Sequence, residues 1–301
     1  MKYIGIKEAA RKWGISDRRV RILCQEGRIE GAIKLEWSWT IPADTPKPTD
    51  GRSMRHLKNY DLRLGTIDIS GLNELKEKHR LTFEMIRGER FTELVKDLIG
   101  FASALAGNRI DPRILNTVLS GKISQSATLE EHLVIVNFRS VLIGQMKNID
   151  GEWDSRRLLS LNRSMLQGVD DEKGGVLRDG VVERPLSEKD ANLSVALQIE
   201  TLFSQYEMEW KRIHPVFRSV LLYTEILRIR PFERFNEEFA VLVLASMLIS
   251  SGFILPLFDA GDVEEMNAAT AVAFRRGYYQ DLARIIERKL MEGYRAIEEN
   301  A

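Results

Sequence analysis

The chain has a single cysteine, Cys24, in 301 residues. That excludes an intrachain disulfide and a zinc cage built from cysteines, and the expected place for a lone thiol is the buried face of a short helix. Net charge is missing as well. Lys and Arg number 44, as do Asp and Glu, so the whole molecule has no gross electrostatic preference for a partner. Long apolar runs are absent. The richest stretch, 239–256, is broken by Ser246, Ser250, Ser251 and Gly252, which fits a buried core helix and not a membrane span. The opening MKYIGIKEAARKW is interrupted by charges and carries no secretory pattern. A cytoplasmic protein without a membrane partner is expected. No P-loop, GxGxxG or GxSxG occurs. The four histidines are scattered without ligand spacing, so no metal site is expected.

What is present is ordinary globular material, 44% apolar and 29% charged, in a chain long enough for two domains. Residues 1–52 stand apart, with eleven basic and seven acidic side chains. The stretch TPKPTDGR at 45–52 holds two prolines and a glycine and reads as a boundary. The expected organisation is a small domain at 1–52, a linker at 53–70 and a larger domain at 71–301.

In the first region a short helix, KEAARKW, leads into the turn Gly14-Ile15-Ser16, with Ser16 as N-cap of a helix from Asp17 to Gln25. Val20, Leu23 and Cys24 would face inward, and Arg18, Arg19 and Arg21 outward. Gly27 would stop that helix. Two short alternating strands follow, the second containing Trp37 and SWTIP. Helix, glycine turn, basic helix and hairpin is the order of a winged helix-turn-helix. KEAARKWGISDRRVRILCQEGRI and the SWTIP ending resemble the MerR/excisionase-like DNA-binding module. The resemblance implies that Arg18, Arg19 and Arg21 enter the major groove, where guanidinium groups pair with guanine. Arg28 and Lys34 would follow the phosphate backbone. So small a reader is expected to act as a homodimer. The competing reading is a solvated or protein-docking arginine surface.

The second region is mostly helical in its spacing. The helical segments are LNELKEKHRLTFEMIR, ERFTELVKDLIGFASAL, ATLEEHLVIVNFRSVLIGQM, WDSRRLLSLNRSMLQGV, ANLSVALQIETLFSQYEMEWKRI, PVFRSVLLYTEILRI, FNEEFAVLVLASMLISSGF and QDLARIIERKLMEGYRAIEE. GGVLRDGVVERP, at 174–185, reads instead as a β-hairpin turning at Asp179-Gly180. Asp170, Asp171 and Glu172 form an acidic loop expected to be solvated.

Residues 213–256, IHPVFRSVLLYTEILRIRPFERFNEEFAVLVLASMLISSGFILP, resemble the centre of the Fic (Fido) family of AMP-transferring enzymes, whose signature is HPFx[DE]GN[GK]R. Pro231, Phe232 and Asn236 match that signature. Arg230 stands at the reactive histidine, Arg234 at the magnesium-holding acid, Phe235 at the first glycine and Glu238 at the final arginine. A further family arginine is Val241. The resemblance implies a flap at 174–185 that holds a target segment by strand addition, with Gly175, Val176, Leu177 and Arg178 as its residues. It also implies an inhibitory helix matching Ser120 to Gln125, with Ser124 where the family has glutamate. His214 stands at a helix start and is expected to be structural.

These substitutions argue against the family chemistry. Guanidinium cannot accept a hydroxyl proton near neutral pH. Magnesium needs hard oxygen ligands, and a phosphate cradle at a helix N-terminus is ill served by Glu237 and Glu238. The expected fold is mainly α: a Fic-like helical bundle with a β-hairpin flap, plus the small winged domain. The expected function is a bacterial-type DNA-binding regulator whose Fic-like domain lacks catalysis and senses a ligand or holds a partner. The alternatives are AMP or phosphoryl transfer through altered residues, and a pure interaction module that clamps a partner strand. No cofactor is expected. ATP and magnesium would bind only if Phe232, Arg234 and Asn236 still form a nucleotide pocket.

Overall fold

The computed structural model describes residues 3–25, 29, 31–35, 38–45, 47, 64–82, 84–85, 88–149, 151–185 and 190–298. The chain divides into two compact units, Met1–Asn59 and Tyr60–Ala301.

In the first unit the order is β1 (Tyr3–Gly5), α1 (Ile6–Trp13), α2 (Asp17–Gln25), β2 (Ile33–Leu35) and β3 (Ser38–Pro42). The strands form an antiparallel sheet in the order β1-β3-β2, with Ile4 opposite Ile41 and Lys34 opposite Trp39. Gly14 ends α1 in the left-handed region, at φ 65°, a conformation that a side chain would strain. Ser16 Oγ accepts from the Arg19 N–H at 3.3 Å and so caps α2. Ala9, Ala10, Trp13, Val20, Leu23, Cys24, Ile29 and Ile41 make a closed core with Ile4. The periodicity of Val20, Leu23 and Cys24 sets which face of α2 turns inward. Strand β1 was not anticipated, because three residues carry too little alternation to register as a strand.

The second unit begins with α3 (Ile69–Lys78), α4 (Glu89–Leu105), α5 (Pro112–Leu119) and α6 (Leu129–Gln145). It continues through α7 (Ser155–Met165), α8 (Val195–Met208), α9 (Pro215–Ile229), α10 (Asn236–Ser250), α11 (Val263–Arg276) and α12 (Gln280–Glu298). Helix α10 is the centre. Every residue from 238 to 250 is buried, and α4, α6, α7 and α9 pack around it. That burial explains why its sequence is apolar on all sides. Each Leu, Ile, Val or Phe enclosed there is worth about 1.5–3 kcal/mol of transfer free energy. Among the described residues no helix is long and apolar enough to cross a membrane.

Three local expectations need correction. The segment 72–87 is not one helix, since α3 stops at Lys78 with His79 at its C-cap. Residues 174–185 form no strand. Their one ladder contact is an isolated bridge between Val181 and Ser194. The Arg178 N–H goes to the Pro231 carbonyl at 2.9 Å and the Val176 N–H to the Lys173 carbonyl at 3.0 Å, so the donors of a hairpin ladder are spent elsewhere. Nor do residues 120–125 form an inhibitory helix. Helix α5 ends at Leu119, and the chain turns until Thr128 and Glu131 close a reciprocal capping box on α6.

Candidate functional site

The signature loop joins α9 to α10. Helix α9 ends because Arg230 enters the left-handed region at φ 48°, and α10 starts from Phe235 at φ 59°. Among the described residues these are the two non-glycine positions with positive φ. Such a conformation costs roughly 1–2 kcal/mol for a residue with a Cβ. Asn236 holds the loop between them. Its Oδ1 accepts from the Phe232 N–H at 3.0 Å and its Nδ2 donates to the Phe232 carbonyl at 2.7 Å. Phe232 sets its ring edge-on to Phe239, with centroids 5.0 Å apart. Pro231, Phe232 and Asn236 therefore serve as scaffold.

Arg178 fastens the other side. Its Nε donates to the Arg230 carbonyl at 2.6 Å, and Nη2 donates to the carbonyls of Ile229 at 3.2 Å and Val181 at 3.0 Å. The cation thus satisfies carbonyls left free at the C-terminus of α9, where the helix dipole is negative. Gly175 approaches α7 closely, its N–H donating to Asn162 Oδ1 at 2.8 Å. A Cβ there would lie 2.7 Å from the Leu159 carbonyl oxygen. Leu177 packs on the core, while Val176 is exposed.

The charged side chains of the loop are paired with residues on either side of it and on other elements. Arg230 Nε lies 3.1 Å from Glu183, and its Nη1 contacts Glu237. Arg234 Nη2 lies 2.6 Å from Glu130 at the start of α6, and its guanidinium stacks over the Phe235 ring at 4.7 Å. Lys173 reaches Glu233 at 2.8 Å. Glu238 is different. It is only 8% exposed, and burial pushes its pKa up to about 7. A hydrogen bond from its own backbone N–H pulls it down, Glu237 raises it, and Arg230 and Arg234 lower it. Glu238 lines a cavity of 370 Å³ between α4, α6 and the first turn of α10.

Ser120 and Ser124 do not line that cavity. Ser120 Oγ donates to the Thr117 carbonyl at 2.8 Å at the end of α5. Thr128, Glu130 and Glu131 line it instead. Glu130 was missed because it lies 104 residues from Arg234 in sequence. Its one local signal, the Thr-Leu-Glu-Glu start of α6, announces a cap and not an ion-pair partner. His214 sits at the opposite end of α9 from Arg230. It accepts from the Val216 N–H at 3.4 Å and lies 3.3 Å from Asn73 Oδ1. Burial, with Lys76 and Arg218 nearby, lowers its pKa to about 4. Asp171 and Glu172 are exposed and Asp170 half-buried, with Asp171 Oδ1 accepting from the Gly168 N–H. Among the described residues no three His, Cys, Asp or Glu side chains are grouped to hold a metal.

In the first unit Arg18 and Arg21 are exposed on α2, Arg19 is half-exposed, and Lys34 is exposed on β2. Arg28, Gly27, Trp37 and most of the anticipated 53–70 linker lie outside the described residues.

No protein-family model matches the sequence, and no curated protein matches it. Solved structures do match. Fic-1 (residues 134–508) from C. elegans is 18% identical with a TM-score of 0.61, over 83% of this chain and 77% of that one. A Fic domain-containing signaling protein from Bacteroides thetaiotaomicron is 18% identical with a TM-score of 0.60, over 77% of this chain and 98% of that one. A Fic family protein from Desulfovibrio desulfuricans is 18% identical with a TM-score of 0.54, over 79% and 76%. The packing of a fully buried central helix behind the Pro231–Asn236 loop, together with these likenesses, establishes that the chain carries the Fic helical fold.

Proposed function

We propose that this protein is a DNA-binding regulator whose Fic-type domain has given up AMP transfer and serves to sense a ligand or hold a partner. One observation carries the reading. The place where the fold would cradle a triphosphate is filled by the chain's own ion pairs, Arg230 with Glu183 and Glu237, and Arg234 with Glu130. A guanidinium at position 230 cannot take a proton from an attacking hydroxyl. Arg234 brings a cation to the point where magnesium would need an oxygen ligand. Glu237 and Glu238 saturate the positive end of the α10 dipole that phosphate would otherwise use. The residues present do not fit a magnesium-bound triphosphate.

Support for the DNA partner comes from α2, which buries Val20, Leu23 and Cys24 and leaves Arg18 and Arg21 in water. Arginines on one helix face can reach base edges and phosphates together. The partner helix-turn, capped by Gly14 and Ser16, suits a winged helix-turn-helix acting as a homodimer on paired half-sites.

The test has two arms. Fluorescence anisotropy with genomic DNA fragments at low salt should show binding above that of a protein matched in Lys and Arg content, and Arg18→Ala with Arg21→Ala should weaken it at least tenfold. Incubation with labelled ATP, UTP or CDP-type donors should transfer no label to the protein itself or to a lysate. Transfer of label would replace this reading with the enzyme alternative.

A further inference from the structure

The cavity beside the first turn of α10 remains after the ion pairs of the loop are accounted for. Its 370 Å³ falls in the size range of small-molecule sites, roughly 300–1,000 Å³. Ile99 from α4, Val134 and Phe138 from α6 and the ring of Phe235 give it apolar walls. Three carboxylates line it, and two are engaged. Glu130 is paired with Arg234, and Glu131 accepts from the N–H and hydroxyl of Thr128. The third, Glu238, is more than nine-tenths buried and accepts from its own backbone N–H, with no side-chain partner among the described residues. One N–H leaves most of a carboxylate's acceptor capacity unused, and a buried charge so thinly paired is costly.

We infer that this cavity binds a small organic cation, with an ammonium group on Glu238 and an aryl or alkyl body against Ile99, Val134, Phe138 and Phe235. The inference deepens the ligand-sensing reading above and rests on it. An ammonium supplies the charge-assisted side-chain partner that Glu238 lacks among the described residues. Four opposing charges must be weighed. Arg230 and Arg234 both act on Glu238, but each is already paired, Arg230 with Glu183 and Glu237 and Arg234 with Glu130. The α10 dipole is positive at this end, and Glu238 itself offsets its roughly half charge. Arg109 is a cation at the mouth, and it is exposed to water, where screening weakens its effect within a few ångströms. An anionic ligand would meet Glu238 with Glu130 and Glu131 beside it, so phosphate and carboxylate compounds are expected to bind more weakly than the ammonium.

The experiment is calorimetric titration of the full chain with phenethylammonium, with its neutral isostere 2-phenylethanol, with phenylacetate and with magnesium-ATP. Saturable binding of phenethylammonium is expected, with 2-phenylethanol and phenylacetate each at least tenfold weaker. Glu238→Gln should lose at least tenfold in ammonium affinity while keeping its circular dichroism. Ser103→Leu, which fills the cavity from α4 without touching the carboxylate, should lose it too and serves if the glutamine variant misfolds. Equal binding of the alcohol, or ammonium binding unchanged in both variants, overturns the inference. Silence of all four titrants overturns it alone and leaves the DNA reading to its own anisotropy test. Binding of magnesium-ATP in place of the ammonium overturns both.

Discussion

Arg230 and Phe235 adopt left-handed backbone on either side of the α9–α10 loop, and their side chains explain how they remain there. Arg230 gains two carboxylate partners, and Phe235 gains a stacked guanidinium and a place against the core. Phe235→Gly should therefore be close to neutral, because relief of roughly 1–2 kcal/mol of backbone strain offsets the lost ring burial. A thermal melt should move by only a few degrees. Glu238 makes a sharper prediction. Its folded pKa of about 7 lies above the usual 4.5, so the stability it contributes is intact below pH 4.5 and is lost as pH rises through 7. Glu238→Gln should melt close to the parent at pH 4.5 and be more stable at pH 8, by up to about 3 kcal/mol. His214 works in the opposite direction. Its folded pKa of about 4 is depressed from 6.5, so its contribution is present above pH 6.5 and is lost as pH falls through 4. A parent chain melted from pH 8 to pH 4 should show both slopes, and His214→Asn, which can still cap α9, should flatten the acidic one.

At the scale of elements, the segment 174–185 is held as a strap and not a hairpin. Arg178 binds four carbonyls, two at the end of α9 and two within the strap itself. Arg178→Ala should cost about 2 kcal/mol and raise proteolytic nicking within 174–185, as mapped by mass spectrometry after limited digestion. The hairpin reading failed because Asp-Gly flanked by valines signals a turn without revealing where the neighbouring N–H groups go. That information sits at Pro231, more than fifty residues away. Helices α4, α6, α9, α10 and α12 were legible because their apolar residues recur over four turns or more. Helix α5 escaped notice at two turns. So did α11, whose stripe of Met266, Ala269, Thr270 and Ala273 is too small and polar to stand out. In the α9–α10 loop, Asn236 was legible from the motif, and it does bond both polar backbone groups of Phe232. The Glu130 and Glu183 partners could not be read, since pairing between distant segments leaves no spacing in the chain.

At the scale of the whole molecule, the buried side chains of the described residues form two separate clusters. One is built around Trp13, Val20 and Ile41, the other around α10. Calorimetric melting of the full chain should show two transitions, and Leu23→Ala should lower one by about 2–5 kcal/mol while leaving the other in place. If DNA binding belongs to the smaller core, that variant should lose it in parallel with its transition. The salt dependence of binding should fall by about one phosphate contact for each of Arg18 and Arg21 removed. The balanced overall charge concealed this possibility until the first 52 residues were counted apart.

The lattice of ions around the α9–α10 loop also bears on reversal. Changing Arg230 to histidine would orphan Glu183 and Glu237 together. Changing Arg234 to an acid would set it against Glu130. Each single substitution toward the Fic signature thus meets a freshly unmatched carboxylate, so these neighbours would have to change in the same move.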